Sequence, residues 1–313
     1  MPNFNGVWSL TTQLQYAADW PVFSQPRALF LGGNTGSKET VIQFIDVTTT
    51  GNASDFGDLT AGRASLMSAS SKIRAVAAGG NTGSAVNVID YVTIASEGNA
   101  SDFGDLSSTS QEGTGTGSST RGLFQLGLAT DNVNTIEYVT IASTGNATDF
   151  GDRTTTAAYG QDSAVSSPTR GVFSGGFISN SVNIIDYVTI ASTGDATDFG
   201  DTSVTRYGMG GASSATRGVF GGGNTSGDTM DYITIASTGN ASDFGNLTNS
   251  PRYISGTSNG VRGIFGGGKV SSTRQDVIQY ITIASTGNAS DFGNLIASNF
   301  SLTATSGSHG GLQ

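Results

Sequence analysis

Between residues 206 and 248 the chain alternates short polar and apolar stretches in a fixed order. RYGMGGASS (206–214) is polar and small, and RGVFGGG (217–223) is apolar and ends in glycines. DYITIAS (231–237) sets Tyr232 and Thr234 on one face and Ile233 and Ile235 on the other, and SDFGNLT (242–248) carries one phenylalanine. Period-two runs of this length bounded by glycine and polar residues predict four short strands. A third strand with large residues on both faces predicts a sheet covered on both sides.

The same order recurs along the chain. TGNASDFGD at 50–58 returns as EGNASDFGD (97–105), TGNATDFGD (144–152), TGDATDFGD (193–201) and twice as TGNASDFGN (238–246 and 286–294). Its phenylalanines are Phe56, Phe103, Phe150, Phe199, Phe244 and Phe292, spaced by 47, 47, 49, 45 and 48 residues. A second marker, Arg27, Arg74, Arg121, Arg170, Arg217 and Arg262, runs in step with it. Two markers in register point to one repeat domain, and four antiparallel strands per copy with both faces buried point to a propeller blade. The expected fold is therefore all-β, a six-bladed propeller with repeats at about 27–73, 74–120, 121–169, 170–216, 217–261 and 262–308. Copy one begins at its second strand, RALFLGG (27–33), so NFSLTATSGS (299–308) is expected to supply the missing inner strand and close the ring.

The pattern RGVFGGG…IDYVTIAST…DFGDL resembles a kelch-type repeat over roughly residues 27 to 308. It departs from that family where a tryptophan is usual on the fourth strand and this chain has phenylalanine. The second copy has Ala77-Ala78-Gly79-Gly80 without an aromatic, and the third replaces the glycine doublet with Gln125-Leu126-Gly127. The near-identical copies, with a leader containing GVWSL (Gly6 to Leu10) and Trp20-Pro21, are similar to propellers encoded by tailed bacteriophages. That resemblance implies a non-enzymatic virion structural protein, exposed on the particle and attached to tail, fibre or head through residues 1–26. Other virion proteins would be partners there, with Trp8, Leu10, Leu14 and Trp20 as anchor candidates, and a host-surface glycan is a further candidate partner. Leu10, Leu14, Ala17 and Ala18 follow a helical spacing after Ser9, which suggests a short helix. The alternative for residues 4–25 is a partial seventh blade, since Trp8 lies 19 residues before Arg27.

Composition narrows the chemistry. The 313 residues carry a net charge of −10 with only 12% charged positions and no basic stripe, which argues against nucleic acid. Cysteine is absent, the start lacks a signal-peptide pattern, and no run approaches the roughly 18 apolar residues of a membrane span. The expectation is a chain made in the host cytoplasm without a signal peptide, and not inserted in a membrane. The single histidine, His309, and four scattered glutamates, Glu39, Glu97, Glu112 and Glu137, leave little material for a triad, a metal cluster or a carboxylate pair. No catalytic residue, metal or cofactor is expected.

The repeated phrase itself reads as a structural corner. Asn52, Asn99, Asn146, Asn240 and Asn288 stand in glycosylation sequons, yet the fourth copy has Asp195, so turn geometry common to Asn and Asp explains all six. The aspartates at positions such as Asp55 and Asp58 read as caps of the hairpin between third and fourth strands rather than calcium ligands. The six arginines read as a repeated structural contact rather than an anion site. What differs between copies is more informative. The segments after the glycine strand and before the first strand vary, offering Phe177, Tyr159, Tyr207 and Tyr253 as candidate surface contacts, with Met67 and Met209 nearby. Alternative functions are a polysaccharide-binding or polysaccharide-cleaving propeller, and a kelch-type interaction scaffold.

Overall fold

Each copy of the repeat folds into one antiparallel sheet whose four strands run from the centre of a ring to its rim. The computed structural model describes residues 26–128, 133–156 and 163–312, and these form six such blades, a β-propeller. In blade 2, Met67–Ser70 is innermost, followed outward by Arg74–Ala78, Val86–Thr93 and Ser101–Ser110. The register sets Arg74 opposite Thr93 and Val76 opposite Tyr91. Blade 1 is assembled from both ends of the ring: Thr303–Ser306 pairs antiparallel with Arg27–Leu31, outside which lie Val41–Asp46 and Ser54–Asp58. The expected C-terminal closure is thus observed. Blade 6 adds a two-strand extension, Lys269–Val270 paired with the start of Thr273–Thr282.

The core lies between blades. Phe103 and Leu106 of blade 2 join Phe124, Val139 and Ile141 of blade 3 in one buried cluster. Equivalent clusters recur around the ring and close between Phe292 of blade 6 and Phe30, Ile45 and Val47 of blade 1. Within each blade the buried phenylalanine meets the third-strand aromatic edge-on, as in Tyr91–Phe103 at 5.8 Å and Tyr138–Phe150 at 5.9 Å. Such geometry adds to the area buried.

Three polar contacts repeat at every blade junction. The asparagine of the phrase accepts a hydrogen bond from the neighbouring blade: the Asp58 N–H donates to Asn99 Oδ1 at 3.1 Å, and the Asn294 N–H donates to Asn52 Oδ1 at 3.0 Å where the ring closes. Asp195 does the same for the Asp152 N–H at 3.0 Å. The tolerance of Asp at this position is therefore explained by an acceptor oxygen directed at another blade, not by a bond to its own turn. The aspartates expected to cap the hairpin, Asp55 and its counterparts, instead stand exposed on the outermost strands. The approach of the blades is so close that a Cβ on Gly57, whose φ is +145°, would lie 2.4 Å from the Gly98 oxygen.

The arginine column supplies the second contact. Arg74 Nη1 donates to the Ile141 and Ala142 carbonyls of the next blade at 3.2 and 2.9 Å, while its guanidinium lies 4.7 Å from the ring of Tyr91. Arg262 completes the circle on the Val47 and Thr48 carbonyls at 3.1 and 2.9 Å. The reading of these arginines as structural is borne out. Third, a buried acceptor before each third-strand aromatic receives the chain leaving the previous blade. Asp90 accepts from the Thr60 N–H at 3.2 Å, Asp186 from Thr154 at 3.1 Å, Asp231 from Ser203 at 3.2 Å, Gln279 from Thr248 at 2.7 Å and Gln43 from Ile296 at 2.8 Å. Three of these acceptors also face buried arginines: Arg63–Asp90, Arg153–Asp186 and Arg206–Asp231 at 2.5, 3.0 and 2.8 Å. Burial draws the Arg63 and Arg206 guanidiniums below their ordinary pKa, and the paired aspartates oppose that shift.

Residues 1–25, with the anchor candidates Trp8, Leu10, Leu14 and Trp20, lie outside the described residues. The six blades close on one another through the contacts above, so the ring itself has no gap for a seventh. Two stability outcomes follow. Phe150→Ala, removing a ring only 1% exposed, is expected to lower unfolding free energy by about 3–5 kcal/mol. Asn99→Ala removes one inter-blade acceptor and is expected to cost about 1 kcal/mol, whereas Asn99→Asp is nearly neutral because Asp195 already serves. Urea denaturation midpoints measure all three, and an Asp substitution as harmful as Ala would contradict the acceptor role.

Candidate binding face

The phrase corners and the arginine contacts lie on the lower face of the ring. The upper face carries the connections from second to third strands and those leading into each first strand. There, in blades 2, 3, 6 and 1, the residue after the second strand's closing glycine bridges the segment entering the same blade: Asn81 with Ala64, Leu128 with Gln111, Lys269 with Arg252 and Asn34 with Phe300. In blade 5 the Asn224 N–H donates to the Tyr207 carbonyl at 3.0 Å. Nearer the axis a second circle of backbone bonds links consecutive blades, from Glu112 N–H to Ser65 O, Ser65 to Ser301, Ser301 to Tyr253 and Tyr253 to Gly208. Ser65, Glu112, Tyr253 and Ser301 hold left-handed φ values of 55–64°. This conformation is disfavoured for residues with a side chain, and the circle of bonds fixes it.

That scaffold sets four aromatic rings in a row across blades 4, 5, 6 and 1. Phe177 and Tyr207 meet edge-on at 5.5 Å, Tyr207 and Tyr253 are tilted at 5.9 Å, and Tyr253 and Phe300 are tilted at 6.2 Å. All four are half-buried. Burial, and then the neighbouring Tyr207 phenol, push the Tyr253 phenol well above the ordinary tyrosine pKa; the charge of Glu112 adds to the shift and that of Arg252 opposes it. The ring therefore stays a neutral phenol at any physiological pH.

Cations gather at one end of the row. Lys269 Nζ lies 4.2 Å from the centroid of Phe300, Arg274 lies 5.9 Å from the same ring, and Arg252 lies 5.5 Å from Tyr253. Beside them a cleft of about 520 Å³ is bordered by Arg252, Lys269, Asn224, Ser250, Ser271 and Ser272, a volume within the roughly 300–1,000 Å³ of small-ligand sites. The central channel is different. Its cavities of about 50 and 40 Å³ have room for a few waters and are walled by residues such as Ser68, Thr114, Gly115, Ser163 and Gly256. At the lower end the C-terminal residues cross the channel: the Gly311 N–H donates to His309 Nδ1 at 3.1 Å, leaving Nε2 to donate to the Ser70 carbonyl at 3.2 Å.

Of the sequence candidates, Phe177, Tyr207 and Tyr253 come together in one row, while Tyr159 lies outside the described residues. Met67 and Met209 are buried core residues. Phe300, Arg252, Lys269 and Arg274 were not anticipated. Aligning the copies at the two varying columns would have marked the first three, because Phe300 and Arg252 occupy the place of Ala64, and Lys269 that of Asn81. Among the described residues there is no group of three or more His, Cys, Asp and Glu side chains placed to hold a metal ion, and no helix long and apolar enough to cross a membrane. No protein-family model and no curated protein matches the chain.

The plug yields a pH outcome. Burial lowers the His309 pKa from 6.5 to about 4, partly offset by the Ser70 carbonyl. A base whose folded pKa lies below its unfolded value favours folding fully above 6.5, and that contribution is lost as pH falls toward 4. Because His309 is the only histidine, wild-type melting temperature is expected to fall more steeply between pH 7 and 5 than that of His309→Gln. Parallel curves would show that the ring is not held neutral.

Proposed function

We propose that this chain is a non-enzymatic virion component of a tailed bacteriophage: a kelch-like propeller carried on tail, fibre or head through residues 1–26, with its upper face turned to host-surface or protein partners. The observation that carries the binding role is the division between the two faces. The junction contacts repeat in copy after copy, while the upper-face columns diverge and bring Phe177, Tyr207, Tyr253 and Phe300 into one row. Partly exposed aromatics on loops held by a rigid scaffold are ordinary material for recognition. A binding rather than a catalytic role is favoured because the buried carboxylates Asp90, Asp186 and Asp231 are engaged by arginines and neighbouring backbone. The channel, where propeller blades converge, offers small hydroxyls and backbone and little room. The virion placement rests on the leader and the near-identical copies.

The test compares the full chain with a version lacking residues 1–26, by mass spectrometry and negative-stain microscopy of purified particles. The full chain is expected on particles and the shortened one free of them. Absence of both from particles would overturn the virion reading.

A further inference from the structure

We infer that the upper-face sector over blades 4, 5, 6 and 1 binds an acidic polysaccharide, with the aromatic row seating sugar rings and Arg252, Lys269 and Arg274 receiving carboxylate or sulfate groups. This rests on the reading of the upper face as a binding surface and is independent of where the chain is carried.

Three observations converge. First, the row extends over three steps of 5.5, 5.9 and 6.2 Å, so it offers a track longer than one residue of a chain-like ligand. The negative face of an aromatic ring attracts the weakly positive C–H edges of a sugar, and Tyr adds a hydroxyl without much conformational entropy to lose. Second, the cations have ring contacts but no carboxylate partner among the described residues. In a chain with 24 acidic and 14 basic residues, none of the carboxylates of the described residues pairs with Arg252, Lys269 or Arg274, although Arg27, Arg63, Arg153 and Arg206 all have such partners. Three cations clustered on one blade of an acidic molecule, with no carboxylate to neutralise them among the described residues, suit an anion from outside. Third, the cleft beside the row is bordered by Ser250, Ser271, Ser272 and Asn224, donors and acceptors suited to sugar hydroxyls.

Nucleic acid fits less well. Phosphate tracking needs a continuous basic groove, and here three cations occupy one end of an aromatic row on a molecule of net charge −10. A neutral glycan would leave the cations unmatched. The blade 6 extension explains why the patch is local: pairing of Lys269 with Arg274 across that short hairpin sets both side chains beside Phe300.

The experiment uses the full chain in solution, with polygalacturonate, sulfated dextran, neutral dextran and single-stranded DNA as probes in a biolayer assay. Binding to at least one acidic polysaccharide, weakened by added salt and about tenfold or more above neutral dextran, is expected. Tyr207→Ala is expected to reduce binding about tenfold. Lys269→Gln with Arg252→Gln should erase the preference for the acidic probe while leaving the melting temperature near wild type. Ile73→Ser, at a lower-face residue 65% exposed, is the control and should leave binding unchanged. Polygalacturonate against sulfated dextran separates carboxylate from sulfate recognition. No binding to either acidic polysaccharide, equal binding to neutral dextran, tighter binding to DNA, or an equal loss in Ile73→Ser would each overturn the proposal. Polysaccharide binding without association with particles would remove only the virion reading; association with particles without polysaccharide binding would remove only this one.

Discussion

One side-chain oxygen per blade, reaching the backbone of the neighbouring blade, is the contact around which the ring is organised. A blade of four strands has two large faces to cover and too little material of its own to cover them, so it is stable only between neighbours. Apolar packing alone is non-directional and would allow blades to slide. The acceptor at Asn99, Asn146, Asp195 and their counterparts fixes the register of one blade against the next. It works with the glycine that admits the approaching backbone and with the arginine that reaches two carbonyls across the gap. Each bond contributes on the order of 1 kcal/mol. Their weight comes from repetition around a closed circle, where none can break without disturbing the seam on either side.

Closure also explains how the molecule divides its labour. With the lower corners and inter-blade seams committed to holding the ring, mutations there act on stability. The upper connections carry fewer shared duties beyond the left-handed backbone circle. They are free to diverge, and they have done so unevenly. Ala64, Asn81 and Gln111 keep the mouth small or polar over blades 2 and 3, while blades 4, 5, 6 and 1 have gathered the aromatic row and the blade 6 cations. A symmetric scaffold with one asymmetric sector fits the binding role proposed for the upper face.

Much of this architecture was legible in the chain. The spacing of Phe56 to Phe292 and of Arg27 to Arg262 reports blade number directly, because each marker fills one recurring seam. The missing first strand of copy one announced the C-terminal closure seen in the pairing of Ala28 with Ser306. The direction of the asparagine bond was not legible, since a repeat cannot tell a contact within one copy from a contact with the next. The buried ion pairs were hidden for a related reason. Arg63 and Arg206 occupy one column in only two copies, whereas Arg153 enters the same kind of cavity from the column of Leu59 and Leu106. The aromatic row joins Phe177 to Phe300, residues brought together by curvature and ring closure, and no local pattern encodes that neighbourhood.

The central physical claim is that the six blades form one cooperative ring closed by Thr303–Ser306. Native-state hydrogen exchange under mild denaturant tests it most directly, by comparing the amides of Arg27–Leu31 at the closure with those of Arg170–Ser174 across the ring. A single cooperative unit gives both strands the same opening free energy at their slowest amides, equal to that of global unfolding. Slow amides at the closure that open at markedly lower free energy than those of Arg170–Ser174 would show blades that unfold independently, and would contradict the account.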